Sequence, residues 1–320
     1  MPNYQGVWSL TTQMQNASAW PVPTVPARGL FFGGYNGSSN TTRIQYIAIQ
    51  TLGNATDFGV LSRAMSQGAA VSSSTRGITA GGADHTGAAV NSIDYVTIAS
   101  TGNSADFGDL NATSIQNSGV SNNTRGLISL SLEGGSSYTV NVDYVTIAST
   151  GNATDYGDKT TNFAYGADNG VSTSTRAIYG GGYISTGPSN VIQYATIAST
   201  GNFSDFGDLT QTRYGLTGVC SATRGVFMGG ATYNVIDYIT MASTGNATDF
   251  GDMIESNSYY GGGTSSPVRG VVGGGNITGT LTNRIAYITI ASTGNAQDFG
   301  DLSEAITSVC ACSDGHGGLQ

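Results

Sequence analysis

Six copies of one phrase run through the chain, and their spacing constrains the fold more than any other feature. Each copy opens with an arginine, Arg28, Arg76, Arg125, Arg176, Arg224 or Arg269, at intervals of 48, 49, 51, 48 and 45 residues. An apolar run, a glycine pair, a tyrosine-centred segment and a Gly-Asn-x-x-Asp-Phe/Tyr-Gly motif follow in turn. A period of this size marks a repeat architecture, in which each unit buries its apolar face against the next. The units run from residue 28 to residue 302 without a linker, so one closed body is expected.

The second unit resolves into strands. Residues 68–75 carry small side chains around Val71, and residues 76–82 run from Arg76 into the Gly81-Gly82 pair. Residues 92–100 combine aromatic and β-branched residues with partial alternation, the pattern of a half-buried strand. A short fourth strand over 106–110 follows the Gly102-Asn103 turn. Four strands without helical periodicity make one propeller blade, and six units predict an all-β, six-bladed β-propeller of four-stranded antiparallel blades. One tyrosine per unit (Tyr46, Tyr95, Tyr144, Tyr194, Tyr238, Tyr287) and one ring after the repeated Asp (Phe58, Phe107, Tyr156, Phe206, Phe250, Phe299) are expected to fill the space between blades. Ala70, Gly119, Gly170, Gly218 and Gly263, each six positions before an arginine, are expected to line a narrow central channel.

The glycine pairs Gly33-Gly34, Gly81-Gly82, Gly181-Gly182, Gly229-Gly230 and Gly274-Gly275 make the chain resemble kelch-type β-propeller repeats. In the third unit Leu130-Ser131 occupies the expected place and Gly134-Gly135 comes later, and the kelch tryptophan is absent from every unit. Ring closure is read at the C-terminus. Val309-Cys310-Ala311-Cys312-Ser313-Asp314-Gly315 is aligned with Val219 to Gly225, placing Asp314 opposite Arg224, and residues 304–313 are expected to complete the first blade. The chain then divides into an N-terminal attachment arm and proline-rich linker (1–27), the propeller (28–313) and a C-terminal tail (314–320). Trp8 and Trp20 make the arm the candidate partner-binding segment.

A formal charge of -9 with a single lysine, Lys159, argues against a DNA- or RNA-binding surface, so no nucleic-acid partner is expected. No run of eighteen apolar residues predicts a membrane span, and the N-terminal residues lack the basic and apolar regions of a conventional secretion signal. Three cysteines, Cys220, Cys310 and Cys312, form no disulfide framework and are read as buried thiols. The repeat arginines are read as structural, paired with carboxylates of the Asp-Phe-Gly-Asp phrases. The first acids of those phrases, Asp57, Asp106, Asp155, Asp205, Asp249 and Asp298, are read as structural turn acids. Replacing Arg176 is therefore expected to cost more stability than replacing Arg63, taken as a surface residue. Asp106, Asp109 and Asn103 offer oxygen ligands that fall short of a calcium site, so no metal and no cofactor is expected. His85 and His316 have no partners that sequence places beside them, and six interchangeable acids do not form the one selected pair of a glycosidase. No enzyme is expected. Function is sought where repetition fails, in loops 83–91, 183–190 and 276–283 and in Tyr183, Tyr233, Tyr259 and Tyr260 as candidate surface ligand contacts.

Gly6-Val7-Trp8-Ser9-Leu10, with Gln13, Gln15 and Trp20-Pro21, and the phrase at 245–252 resemble repeat-rich structural proteins of tailed bacteriophages, marine ones in particular. The resemblance implies a non-enzymatic virion component on the particle exterior or tail, present in multiple copies. It would be anchored to other virion proteins by its arm and displayed for attachment to a host glycan or receptor. A glycan-binding adhesin or lectin, and then a carbohydrate-active enzyme, are the alternatives.

Overall fold

Six strands can converge on one axis only where their side chains are small, and the segment before each arginine supplies that condition. In the computed structural model, which describes residues 27–164, 169–231, 233–255 and 258–319, these segments are the innermost strands of six blades. They are Cys310–Ser313, Ala69–Ser72, Ser118–Ser121, Gly170–Ser172, Thr217–Cys220 and Gly262–Ser265 for blades one to six. Each pairs antiparallel with the strand that opens at the arginine. That strand pairs with the tyrosine-centred strand, which pairs with the outer strand carrying the Asp-Phe-Gly phrase. The architecture is the expected six-bladed propeller, closed by Cys310–Ser313 on Arg28–Phe32.

The closing strand sits three residues away from the expected alignment. Ser313 lies opposite Gly29 as Ser72 lies opposite Gly77, so Asp314 matches Ser73 and Ser221 rather than an arginine. Its role follows from that register. Asp314 Oδ1 accepts the Arg28 N–H at 2.8 Å, as Ser73 and Ser221 Oγ accept those of Arg76 and Arg224. Arginine in the first blade comes from the other end of the chain. The second blade also departs from expectation: its outer strand extends over Ala105–Ile115, because its end pairs with Val90 and with the hairpin strand Leu132–Glu133 of the third unit.

Six apolar clusters hold the ring together, one at each blade interface. Ile78, Phe107, Ile128 and Val145 meet between blades two and three, and Phe31, Val271, Phe299 and Ile306 meet where blade six closes on blade one. The expected ring positions lie here. Phe58, Phe107, Tyr156, Phe206, Phe250 and Phe299 are buried, each edge-on to its blade's tyrosine at 5.8–6.4 Å. Cys220, Cys310 and Cys312 are buried thiols.

Candidate functional site

Each repeat arginine works across a blade interface, and its partner is not a carboxylate. Nη1 of Arg28, Arg76, Arg125, Arg176, Arg224 and Arg269 donates to the carbonyls of Ile98, Ile147, Ile197, Met241, Ile290 and Ile49 in the following blade, at 2.9–3.2 Å. Each guanidinium also lies 4.2–5.2 Å from the ring centre of its own blade's tyrosine. A delocalised cation on a ring face keeps its in-plane N–H groups free for carbonyls, which suits arginine better than lysine. The expected pairing with the Asp phrases is replaced by this arrangement.

Asp57, Asp106, Asp155, Asp205, Asp249 and Asp298 stand exposed on the outer strands. The work assigned to them falls to neighbours in the same phrase. The Asn Oδ1 of each Gly-Asn turn accepts a backbone N–H from the preceding blade's outer strand at 3.0–3.1 Å, as Asn152 does from Asp109. The turn glycine N–H donates to the carbonyl of the buried ring residue of that blade at 2.7–2.9 Å, Gly151 to Phe107 for example. Asn103, weighed above as an oxygen ligand, is engaged in this way by Val60 N–H. The glycine after each ring residue makes room for the turn: a Cβ at Gly108, where φ is +148°, would lie 2.4 Å from the Gly151 carbonyl oxygen.

Buried polar groups form a second set that the sequence reading missed. The residue before each repeat tyrosine is buried, and in five blades it is polar: Gln45, Asp94, Asp143, Gln193 and Asp237. Each receives hydrogen bonds from the preceding blade's outer strand or the residues just past it; Asp143 takes the N–H and the side-chain amide of Asn111 at 2.9 and 2.7 Å. Burial raises the Asp143 carboxyl above its usual range, against the opposing pull of those bonds. Arg213 and Asp237 form a fully buried ion pair at 3.0 Å. Lys159 donates to Ser129 Oγ and the Leu130 carbonyl over the Phe163 ring, and burial pulls it down to about 7. Arg63 is no bland surface residue: it is half-buried and donates to the carbonyls of Gly81 and Ser92.

The two faces of the ring differ in kind. One carries the short turns that precede each arginine and the Gly-Asn turns, and the C-terminal residues seal it. Ala70, Gly119, Gly170, Gly218 and Gly263 line the channel as expected, joined by Ala311, around a cavity of about 40 Å³. At the sealed end Ser72, Ser121, Ser172 and Ser313 each donate from Oγ to a carbonyl of the preceding inner strand at 2.6–2.9 Å. His316 caps this ring. Its Nδ1 accepts the Gly318 N–H at 3.1 Å, and burial depresses the imidazole to about 4. Gly317 and Gly318 pack so close to the carbonyls of Ser221 and Ser121 that neither tolerates a side chain. Residues 314–319 are thus packed into the ring rather than trailing from it.

The opposite face carries the glycine pairs, the hairpins and the links between blades, and here the units diverge. Tyr183, half-buried, meets Tyr214 edge-on at 5.2 Å, and Tyr214 lies 6.4 Å from Tyr260, whose backbone is left-handed at φ +61°. Tyr214 escaped the sequence reading, since no repeat position marks it. Tyr233 is 37% exposed and stands among these loops. Tyr259 lies in a two-residue strand paired with Asn276–Ile277. Trp8 and Trp20 lie outside the described residues. Between the first two blades the same face opens into a cleft of about 390 Å³ bordered by Tyr35, Asn40, Gln67, His85 and Thr307. Among the described residues, no group of three or more His, Cys, Asp or Glu side chains is placed to hold a metal ion.

No protein-family model matches the sequence, and no curated protein matches it either. What the chain shares with kelch-like repeat proteins is architecture: a six-bladed propeller with a glycine pair after the second strand of five blades.

Proposed function

We propose that the protein is a non-enzymatic structural component of a virion, a rigid ring attached through residues 1–27 and displaying its hairpin face to the host. The placement of Ala27 carries this reading. Ala27 is buried against Gly315 at the sealed face, so the arm joins the ring on the side opposite the variable loops. Attachment below and display above need no moving part, and loops on a rigid scaffold are where recognition concentrates. The bacteriophage-like phrases at 6–10 and 245–252 support the choice of particle. Multiple copies per particle follow from the same reading.

The test is to image native particles with an antibody against the propeller and to repeat assembly with residues 1–26 removed. The expected result is labelling on the exterior or tail that disappears with the arm, while the purified ring still melts cooperatively. Particles that incorporate the shortened chain equally well would sink the attachment role. Host-glycan recognition is the second reading, favoured by the tyrosines gathered on the hairpin face.

A further inference from the structure

We propose that the cleft between the first and second blades, on the hairpin face, is a binding site for a neutral saccharide. Its volume of about 390 Å³ lies within the range of small-molecule sites. The lining combines hydroxyls and amides, including Asn40, Gln67 and Thr307, with Tyr35, His85 and the apolar Ala83 and Ile115, and holds no carboxylate, lysine or arginine. A sugar ring has the complementary surface. Its hydroxyls exchange hydrogen bonds with such groups, and its C–H face rests on an aromatic ring.

The walls are built in advance. Tyr35 is 39% exposed, yet its hydroxyl donates to the Gly37 carbonyl at 2.8 Å. Its backbone exchanges two hydrogen bonds with Thr307, at 2.8 and 3.0 Å. Across the cleft Asn40 donates to the carbonyls of Ala83 and Asp84, tying the first blade's loop to the second's. The Asp84 carboxylate fixes the turn that carries His85 by accepting the N–H groups of Thr86 and Ala88. On the inner side, Gln67 and Ser308 both adopt left-handed backbone, at φ +59° and +56°, and are joined by a bond of 2.9 Å from Gln67 N–H to the Ser308 carbonyl. Rigid walls lower the ordering cost of binding.

Two acceptors in this lining are left over. Gln67 Oε1 and Thr307 Oγ1 are buried without a hydrogen-bond partner, and Thr307 is only 9% exposed. An unpartnered buried oxygen is costly to keep, and two of them meet at this cleft, where rotation of their side chains presents them to an incoming donor. Sugar hydroxyls are donors of the right kind. The inference rests on the display reading only for the outward orientation of this face, and binding by the purified chain tests it without any particle.

The experiment applies the full chain to an array of neutral hexose and N-acetylhexosamine oligosaccharides, with sialylated and sulfated glycans alongside. Neutral glycans should be retained, with at least tenfold weaker binding by Tyr35→Ala and Gln67→Leu and no change in Leu52→Ala, an exposed residue beside the Gly53-Asn54 turn on the opposite face. Gln67→Leu should melt no lower than the parent, since it removes an unpartnered oxygen at nearly constant volume, so its lost binding cannot be ascribed to misfolding. Absence of neutral-glycan binding, preference for the charged glycans, or binding that both cleft variants keep would each overturn the proposal.

Discussion

Replacing Gly108 by alanine isolates the contact that the repeated phrase is built to make. Gly108 has φ +148°, and an added Cβ would sit 2.4 Å from the Gly151 carbonyl oxygen and 2.6 Å from its carbon, both backbone atoms of the next blade's turn. No side-chain rotation relieves this, so the turn must retreat. Retreat stretches the Gly151 N–H to Phe107 bond (2.7 Å), the Ala153 N–H to Asp109 bond (2.8 Å) and the Asp109 N–H to Asn152 bond (3.1 Å). Backbone strain at such a φ costs about 1–3 kcal/mol, and each weakened bond about 0.5–1.5 kcal/mol. A loss of about 2.5–7.5 kcal/mol results. With an unfolding entropy of about 2.1 cal/mol/K per residue over 320 residues, this lowers Tm by about 4–11 °C. Two neighbouring glycines separate the causes. Gly151 has φ +152° but open space around its Cβ position, so Gly151→Ala should lose only the strain part. Gly102 has open space and no left-handed φ, so Gly102→Ala should be nearly neutral. Scanning calorimetry on the three variants decides the matter: equal melting temperatures for Gly108→Ala and Gly151→Ala would refute the claim that close approach sets this residue.

Other perturbations test other links. Arg125→Ala removes both the Ile197 carbonyl bond and the contact with Tyr144 and should cost about 2–4 kcal/mol. Arg125→Lys should recover less than half of that in a denaturant melt; full recovery would show that charge alone suffices. Lys159 has a folded pKa of about 7 against 10.5. Between those values the unfolded chain binds the extra proton, so stability should rise from pH 7 to 9 by up to about 2–3 kcal/mol. Lys159→Met should flatten the rise, and an unchanged slope in that variant would discard the assignment. His316, at about 4 against 6.5, is neutral in the ring while the unfolded chain takes up a proton. Its contribution, up to about 3 kcal/mol, is present above pH 6.5 and is lost as pH falls toward 4. His316→Asn should melt less steeply with acid than the parent; parallel curves would refute the reading.

The ring was legible because its cause is periodic, and the misreadings fall where the cause is not. Arginine spacing gave the unit length and the small residues before each arginine gave the inner strands, both set by sterics that every blade repeats. The arginines' partners stayed hidden because they are main-chain carbonyls, which every residue possesses and no sequence pattern distinguishes. The aspartates were over-read for the converse reason. A charged residue at a repeated place looks like a partner, yet Asp106 and its equivalents face water on an outer strand, while the asparagine three positions earlier makes the inter-blade bond. The signal for the buried acids was present: a polar residue precedes five of the six repeat tyrosines, on a strand otherwise apolar at its buried positions. The three-residue shift at the closing strand has a simpler origin. Cys-Ala-Cys-Ser and Val-Cys-Ser-Ala are both strings of small residues, and only pairing with Arg28–Phe32 fixes which carbonyl meets which N–H. Of the cleft beside Tyr35 only one wall was legible, the loop at 83–91 where repetition fails; the others come from residues 35–40, 66–67, 115 and 307–308, which only the fold brings together.

Closure and loop variation are two consequences of one arrangement. The first blade takes its second to fourth strands from residues 28–65 and its inner strand from 310–313, and the bond from Arg28 N–H to Asp314 fastens the two ends. Both ends therefore meet at the sealed face, where His316, Gly317 and Gly318 fill the channel mouth. Nothing that repeats is free to vary there, because every turn on that face is also an inter-blade contact: the Gly-Asn turns pin the preceding outer strand, and the isoleucine or methionine carbonyls at the ends of the tyrosine-centred strands receive the arginines. The hairpin face has no such obligation. Its inter-blade contacts, such as the pairing of Leu132–Glu133 with the second blade's outer strand, differ from unit to unit, so residues can be inserted, as in the hairpins at 132–138, 183–188 and 276–281, without disturbing the sixfold set. A scaffold that concentrates its sixfold contacts on one face leaves the other free to vary.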